Sequence, residues 1–161
     1  MSTTAAVRPI VVGIDGSGRA EQILEWALGE AMVCQAPLHV VTVWNWDGRA
    51  TAELPLQRGG ARGKPAGWAR QVQETLLARV LARFGSHAPQ VSAEVTEGDP
   101  ATRLILCSCD AALLIVGGDC AGREPGARTV AEVCRRHAGC PVVVLPASGL
   151  VPAPGMPLSD G

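Results

Sequence analysis

The sequence predicts a single α/β domain built on a doubly wound, five-stranded parallel sheet with helices on both faces. Three observations predict it. Short apolar runs recur at Pro9–Asp15, Leu38–Trp44, Val91–Thr96, Ala111–Val116 and Pro141–Leu145. Stretches with apolar residues at helical spacing lie between most of them. Gly, Pro and Asp punctuate the junctions, as turns require. Strands that alternate with helices argue for parallel pairing through right-handed crossovers, and the order 3-2-1-4-5 is among the few topologies left. That order puts its switch point between strands one and four, which end at Asp15 and at Gly117-Gly118.

Each element follows from its residues. Strand one ends in Asp15-Gly16-Ser17, which reads as a turn with Ser17 as a helix N-cap. Residues 18–35 carry Ile23, Leu24, Ala27, Leu28 and Ala31 on one helical stripe, and Pro37 ends that helix before strand two. Residues 45–65 are rich in Gly, Pro and Arg and read as an irregular, solvated loop. Trp68–Phe84 is the second helix, with Val72, Leu76, Leu77, Val80, Leu81 and Phe84 turned inward. Asp99 and Pro100 open a short third helix, as N-cap and first-turn residue. Arg128–His137 is the last helix. Residues 1–7 read as an N-terminal tail, 8–146 as the domain, and the Pro- and Gly-rich stretch 147–161 as a disordered tail.

Composition bounds the function. The chain has 161 residues, 47% hydrophobic and 18% charged, with a formal net charge of −1. Near-neutral charge gives no reason to expect nucleic acid or an anionic membrane as a partner. No run approaches the roughly 20 apolar residues of a membrane span. No secretory signal is visible, so the six Cys are expected in a reducing cytoplasm, mostly as small core residues rather than in disulfides.

Plainer roles account for the remaining motifs. Gly13, Gly16 and Gly18 have the wrong spacing for a dinucleotide fingerprint, and there is no G-K-[ST] phosphate loop. Cys134, His137 and Cys140 lack the paired ligands of a zinc site, and His137 fits a helix C-terminus better. Neither Asp15 with Asp99 nor the three His (39, 87 and 137) suggests a catalytic constellation, so no enzyme is expected. Cys120, in a glycine-rich loop, is the one candidate reactive thiol and supports a redox-sensing alternative.

Four segments together resemble the universal stress protein family: IVVGIDGS (10–17) with LEWAL (24–28), LHVVTVW (38–44), EGDPATRLI (97–105) leading to ALLIVGG (112–118), and CPVVVLP (140–146). The resemblance runs from about Arg8 to Pro146 and implies the Rossmann-like, HUP-type sheet already inferred. In members that bind ATP, it implies that Ile14, Asp15 and Val43 lie at the adenine end. The phosphates would lie on a loop of pattern G-x2-G-x9-G-[ST]. Here that pattern covers Gly117 and Gly118, but Cys120 stands for its second glycine, Arg128-Thr129 for its closing pair, and the loop is about two residues short.

The expectation is therefore a cytoplasmic, non-catalytic regulatory or protective module with a degenerate nucleotide loop and no resident cofactor. It would act through an unidentified protein partner and through homodimerisation, with Val142, Val143, Val144 and Leu145 pairing edge to edge as the family resemblance implies. The alternative is a sensor of ATP or another adenine nucleotide. It would use Ile14, Asp15, Val43, Gly117, Gly118, Arg128 and Thr129, with Arg128 reaching a phosphate in place of backbone donors.

Overall fold

A computed structural model describes residues 6–15, 18–44, 65–118, 128–146 and 154–155. Its elements are β1 (Ile10–Ile14), α1 (Ala20–Cys34), β2 (Leu38–Trp44), α2 (Pro65–Phe84), a 3-10 turn (Gly85–His87), β3 (Val91–Glu97), α3 (Pro100–Cys107), β4 (Leu113–Gly117), α4 (Val130–His137) and β5 (Val142–Leu145). The strands form one sheet in the order β3-β2-β1-β4-β5, all parallel, as the sequence predicts.

Successive strand residues face opposite sides, so each strand feeds two cores. Ile10, Val12, Ile14, Ile115, Val143 and Leu145 pack under α1 and α2. Val11, Val41, Leu114 and Val116 pack under α3 and α4. Leu24, Leu28, Leu38 and Leu114 are fully buried, and each stabilises the fold by about 1.5–3 kcal/mol. Gly13 lets α3 close on the sheet, because a Cβ there would lie 2.7 Å from Leu104. The α1–α2 pair is tied at its surface by Arg79 to Glu21 (3.1 Å), by Arg83 to Glu25 (3.2 Å) and by a further Arg83–Glu21 contact. Buried Gln73 of α2 reaches the sheet, where its amide donates to Thr42 Oγ1 and to the Glu94 carbonyl, both at 2.9 Å.

Local chemistry moved several boundaries. The second helix begins at Pro65, three residues before the expected Trp68, and proline suits a first helical position. α1 begins at Ala20 with Arg19 in the N-cap position and no side-chain cap, so the cap expected of Ser17 is not where the helix starts. Ser17 itself lies outside the described residues. α1 ends on Gln35 in the left-handed region (φ 51), whose N–H bonds back to Ala31 and Met32. The cysteines are less buried than expected: Cys134 is buried, Cys107 and Cys140 are half-buried, and Cys34 and Cys109 are exposed.

Of the C-terminal tail, Pro154 and Gly155 are described. They form a turn against α1, where the Gly155 N–H donates to Glu30 at 2.6 Å. Pro154 there lies over Gly29, close enough that a Cβ on Gly29 would meet it at 2.7 Å. Among the described residues, no helix is long and apolar enough to cross a membrane.

Candidate functional site

Parallel strands all end at one pole of the sheet, so the ends of β1 and β4 lie together there. The register makes this concrete. Ile14 pairs with Thr42, and Val12 pairs with Ile115. Asp15, one residue past the Ile14–Thr42 pair, lies beside Val43, and Gly118 lies at the same end of β4, beyond the last β1–β4 pair. Three candidate residues from three separate segments thus form one row across the top of β2, β1 and β4. Asp15 is exposed at this row, and Val43 is half-buried against the α3 side. Ile14 differs: it is 5% exposed and its side chain belongs to the core under α1. It supports the row from beneath.

Gly117 closes β4, and a Cβ there would lie 2.6 Å from Ile23 of α1. The glycine therefore sets how tightly α1 closes on the sheet beside the crevice. The Gly118 N–H donates to the Leu145 carbonyl at 2.6 Å. That donor therefore holds β5 against the end of β4. Gly16, Ser17 and the loop 119–127, with Cys120, lie outside the described residues.

Thr129 is the N-cap of α4, and its surroundings form a closed capping box. The Thr129 hydroxyl oxygen accepts the Glu132 N–H at 3.1 Å, and Glu132 accepts the Thr129 N–H at 3.1 Å. The Thr129 hydroxyl still has its own proton to donate. The helix start also carries the positive end of the α4 dipole, and Arg128 is exposed just before it. The opposite end of α4 carries Arg135, Arg136 and His137, which complement the dipole's negative end. T-x-x-E is a cap signature legible in the sequence, and it is the signal for Glu132, which the phosphate motif does not contain.

A second helix start lies at the same pole. Asp99 caps α3, accepting the Thr102 N–H at 2.9 Å and the Thr102 hydroxyl at 2.7 Å. Those hydrogen bonds, the backbone one first, hold its carboxyl below the usual value. Its charge reaches Cys134 of α4, whose thiol burial in the first place, and Asp99 after it, push up to about 11. Asp99 is thus committed to α3 and supplies no base for chemistry. Among the described residues, no group of His, Cys, Asp or Glu is arranged to hold a metal.

β5 holds the expected pairing residues in two sets. Val143 and Leu145 point into the core under α1, at 5% and 1% exposure, whereas Val142 and Val144 face the α4 side. Their side chains serve this chain's own core, and only the backbone edge is left for another strand.

A five-stranded parallel sheet in the order β3-β2-β1-β4-β5, with helices on both faces and its switch point between β1 and β4, defines a doubly wound, Rossmann-like α/β protein. The universal stress protein family profile matches residues 6–146, and the chain belongs to that family. It is 30% identical over 147 residues to universal stress protein Rv2623 of Mycobacterium tuberculosis, a match covering 90% of this chain and 50% of that protein. The chain spans about half the length of the curated relatives it matches. Among solved structures, a universal stress protein in complex with cAMP superposes with a TM-score of 0.66 at 20% identity, covering 89% of this chain and 100% of that one. The universal stress protein from Archaeoglobus fulgidus in complex with dAMP superposes with a TM-score of 0.57 at 20% identity, covering 87% and 98%.

Proposed function

We propose that this chain is a non-catalytic regulatory module that holds an adenine nucleotide across the row of Asp15, Val43 and Gly118, with its phosphate at the start of α4. The observation that carries this reading is the Thr129 cap. A hydroxyl that accepts from the helix and keeps its own proton can donate to an anion where the α4 dipole favours negative charge. Exposed Arg128 beside it is the cation for that charge. The cAMP and dAMP carried by structures of like fold support an adenine ligand with one phosphate. With the Gly118 N–H turned to β5, fewer backbone donors remain for a triphosphate, so AMP is expected to bind better than ATP. The nucleotide's effect would be relayed by protein contacts, including backbone pairing of β5 with a second copy, in the cytoplasm.

Thermal unfolding of nucleotide-free protein with AMP, cAMP or Mg-ATP tests this. A ligand at 100 times its Kd stabilises by about 2.7 kcal/mol. For a domain of this size that raises the midpoint at about 2–4 °C per kcal/mol. The shift should vanish in Asp15→Ala and Thr129→Ala and survive in Thr129→Ser, which keeps cap and hydroxyl. No shift with any adenine nucleotide would sink the reading and leave protein contacts alone as the function.

A further inference from the structure

The sequence suggests no partner for His39. The β2–β3 register supplies two, from residues more than fifty positions away. His39 pairs with Ser92, and Val41 pairs with Glu94, so Ser92 and Glu94 flank His39 on one sheet face. His39 Nδ1 lies 2.7 Å from Ser92 Oγ, and His39 Nε2 lies 3.1 Å from Glu94 Oε2. A neutral imidazole carries one ring proton, and the carboxylate takes it at Nε2. The lone pair therefore sits on Nδ1, and the Ser92 hydroxyl donates to it. A nucleophile, a base and a group that orients the base are in line, which is the arrangement that activates a serine.

The surroundings leave the serine open to a reagent. β3 is an edge strand, Ser92 is exposed, and the His39 side chain is 24% exposed. The Leu38 N–H donates to the Gln90 carbonyl at 2.8 Å, which fixes the ladder. Ser92 and Glu94 then turn their N–H groups toward β2, and Ala93 turns its N–H outward at the sheet edge. A backbone donor that no other described strand takes up thus stands beside the nucleophile. On the far side, the Cys107 thiol donates to Glu94 Oε2 at 3.9 Å and helps fix that carboxylate.

We propose that Ser92 is a surface nucleophile that accepts an acyl group from small activated esters or thioesters, with His39 as its base and Glu94 holding His39 in place. In the step, Ser92 Oγ bonds to the acyl carbon while its proton moves to His39 Nδ1. The bond from that carbon to the leaving alkoxide or thiolate then breaks, and the leaving group departs with the proton. Acyl donor and hydroxyl become acyl-serine and free alcohol or thiol, with no oxidant or further reactant.

The full chain treated with p-nitrophenyl acetate, followed by p-nitrophenolate release and by fragment-ion mapping of the acetylated residue, tests this. Mapping separates Ser92 from the cysteines and from Lys64, the one lysine in the chain. The expected result is rapid acetylation at Ser92, absent in Ser92→Ala and slowed about 100-fold in His39→Gln, the scale of general-base assistance. Glu94→Gln should slow it less, and circular dichroism of each variant should match the parent. Acetylation of Ser92 at the same rate in parent and His39→Gln would overturn the proposal, as would acetyl groups found only elsewhere.

Discussion

The two edges of the sheet differ in kind. β5 is a four-residue apolar strand whose alternate side chains, Val143 and Leu145, are buried under α1. β3 is seven residues long, with Ser92, Ala93, Glu94 and Glu97 exposed. An edge strand presents unpaired backbone groups, and charge or polarity on it discourages pairing with another chain. β3 has that protection and β5 does not. The polar groups that blunt β3 are also the ones that build the Ser92–His39–Glu94 line. An edge kept from pairing is thereby left open to small molecules, while an apolar edge is suited to a second strand.

The largest expected difference between the edges is in stability. Leu145→Ala removes a side chain that is 1% exposed and should cost about 2–5 kcal/mol in urea unfolding. Val95→Ala on β3 removes a half-buried one and should cost about 1 kcal/mol. Equal losses would break the comparison.

Assembly is the next contrast. Val143 is a poor probe of β5 pairing, because changing it to Lys or Pro damages the core as well. The Leu114 N–H donates to the Pro141 carbonyl at 2.9 Å, so Val144 turns its N–H outward. Val144→Pro should convert a dimer to a monomer in sedimentation, at a cost of about 1 kcal/mol for its half-buried side chain, less than a change at Val143 would carry. A dimer that persists would move the interface away from β5.

A smaller effect separates the helix starts that lie over the two halves of the sheet. α3 is capped by the Asp99 carboxylate, held below its ordinary 3.8 first by the Thr102 N–H. A folded pKa below the unfolded one means that the cap's contribution is full above about pH 4 and is lost as pH falls through the lowered value. The parent should lose about 1 kcal/mol there, the usual worth of a cap, and Asp99→Asn should lose none of that part. Chemical unfolding between pH 6 and pH 2.5, about the range of carboxyl titration, reads the difference. The smallest signal is at Cys134, buried beneath α4, whose thiol near 11 should resist iodoacetamide until the chain unfolds. Exposed Cys109 should label in the native state, and labelling of both at one rate would mean that α4 opens readily.

Much of this was legible in the chain. Alternation of apolar runs and helical stripes carried the strand order, because a parallel sheet buries both faces of every inner strand and so writes itself as unbroken apolar runs. Asp99 was legible as a cap because capping is local, spanning three residues to Thr102. Ser17 misled for the complementary reason: local preference for a cap did not decide where α1 begins. The glycines after β4 were legible as a motif, but the use of the Gly118 N–H depended on β5, 27 residues later.

The sequence by itself thus determined the family, the sheet order, the two cores and the place where β1 and β4 converge, since these follow from periodicity and from the limited ways to wind a parallel sheet. The tertiary structure alone decided which groups meet. It turned Ile14 inward and Asp15 outward, bound Gly118 to Leu145, and set His39 between Ser92 and Glu94. Such contacts depend on strand register, and a register is fixed by the packing of whole layers rather than by any residue's neighbours in the chain.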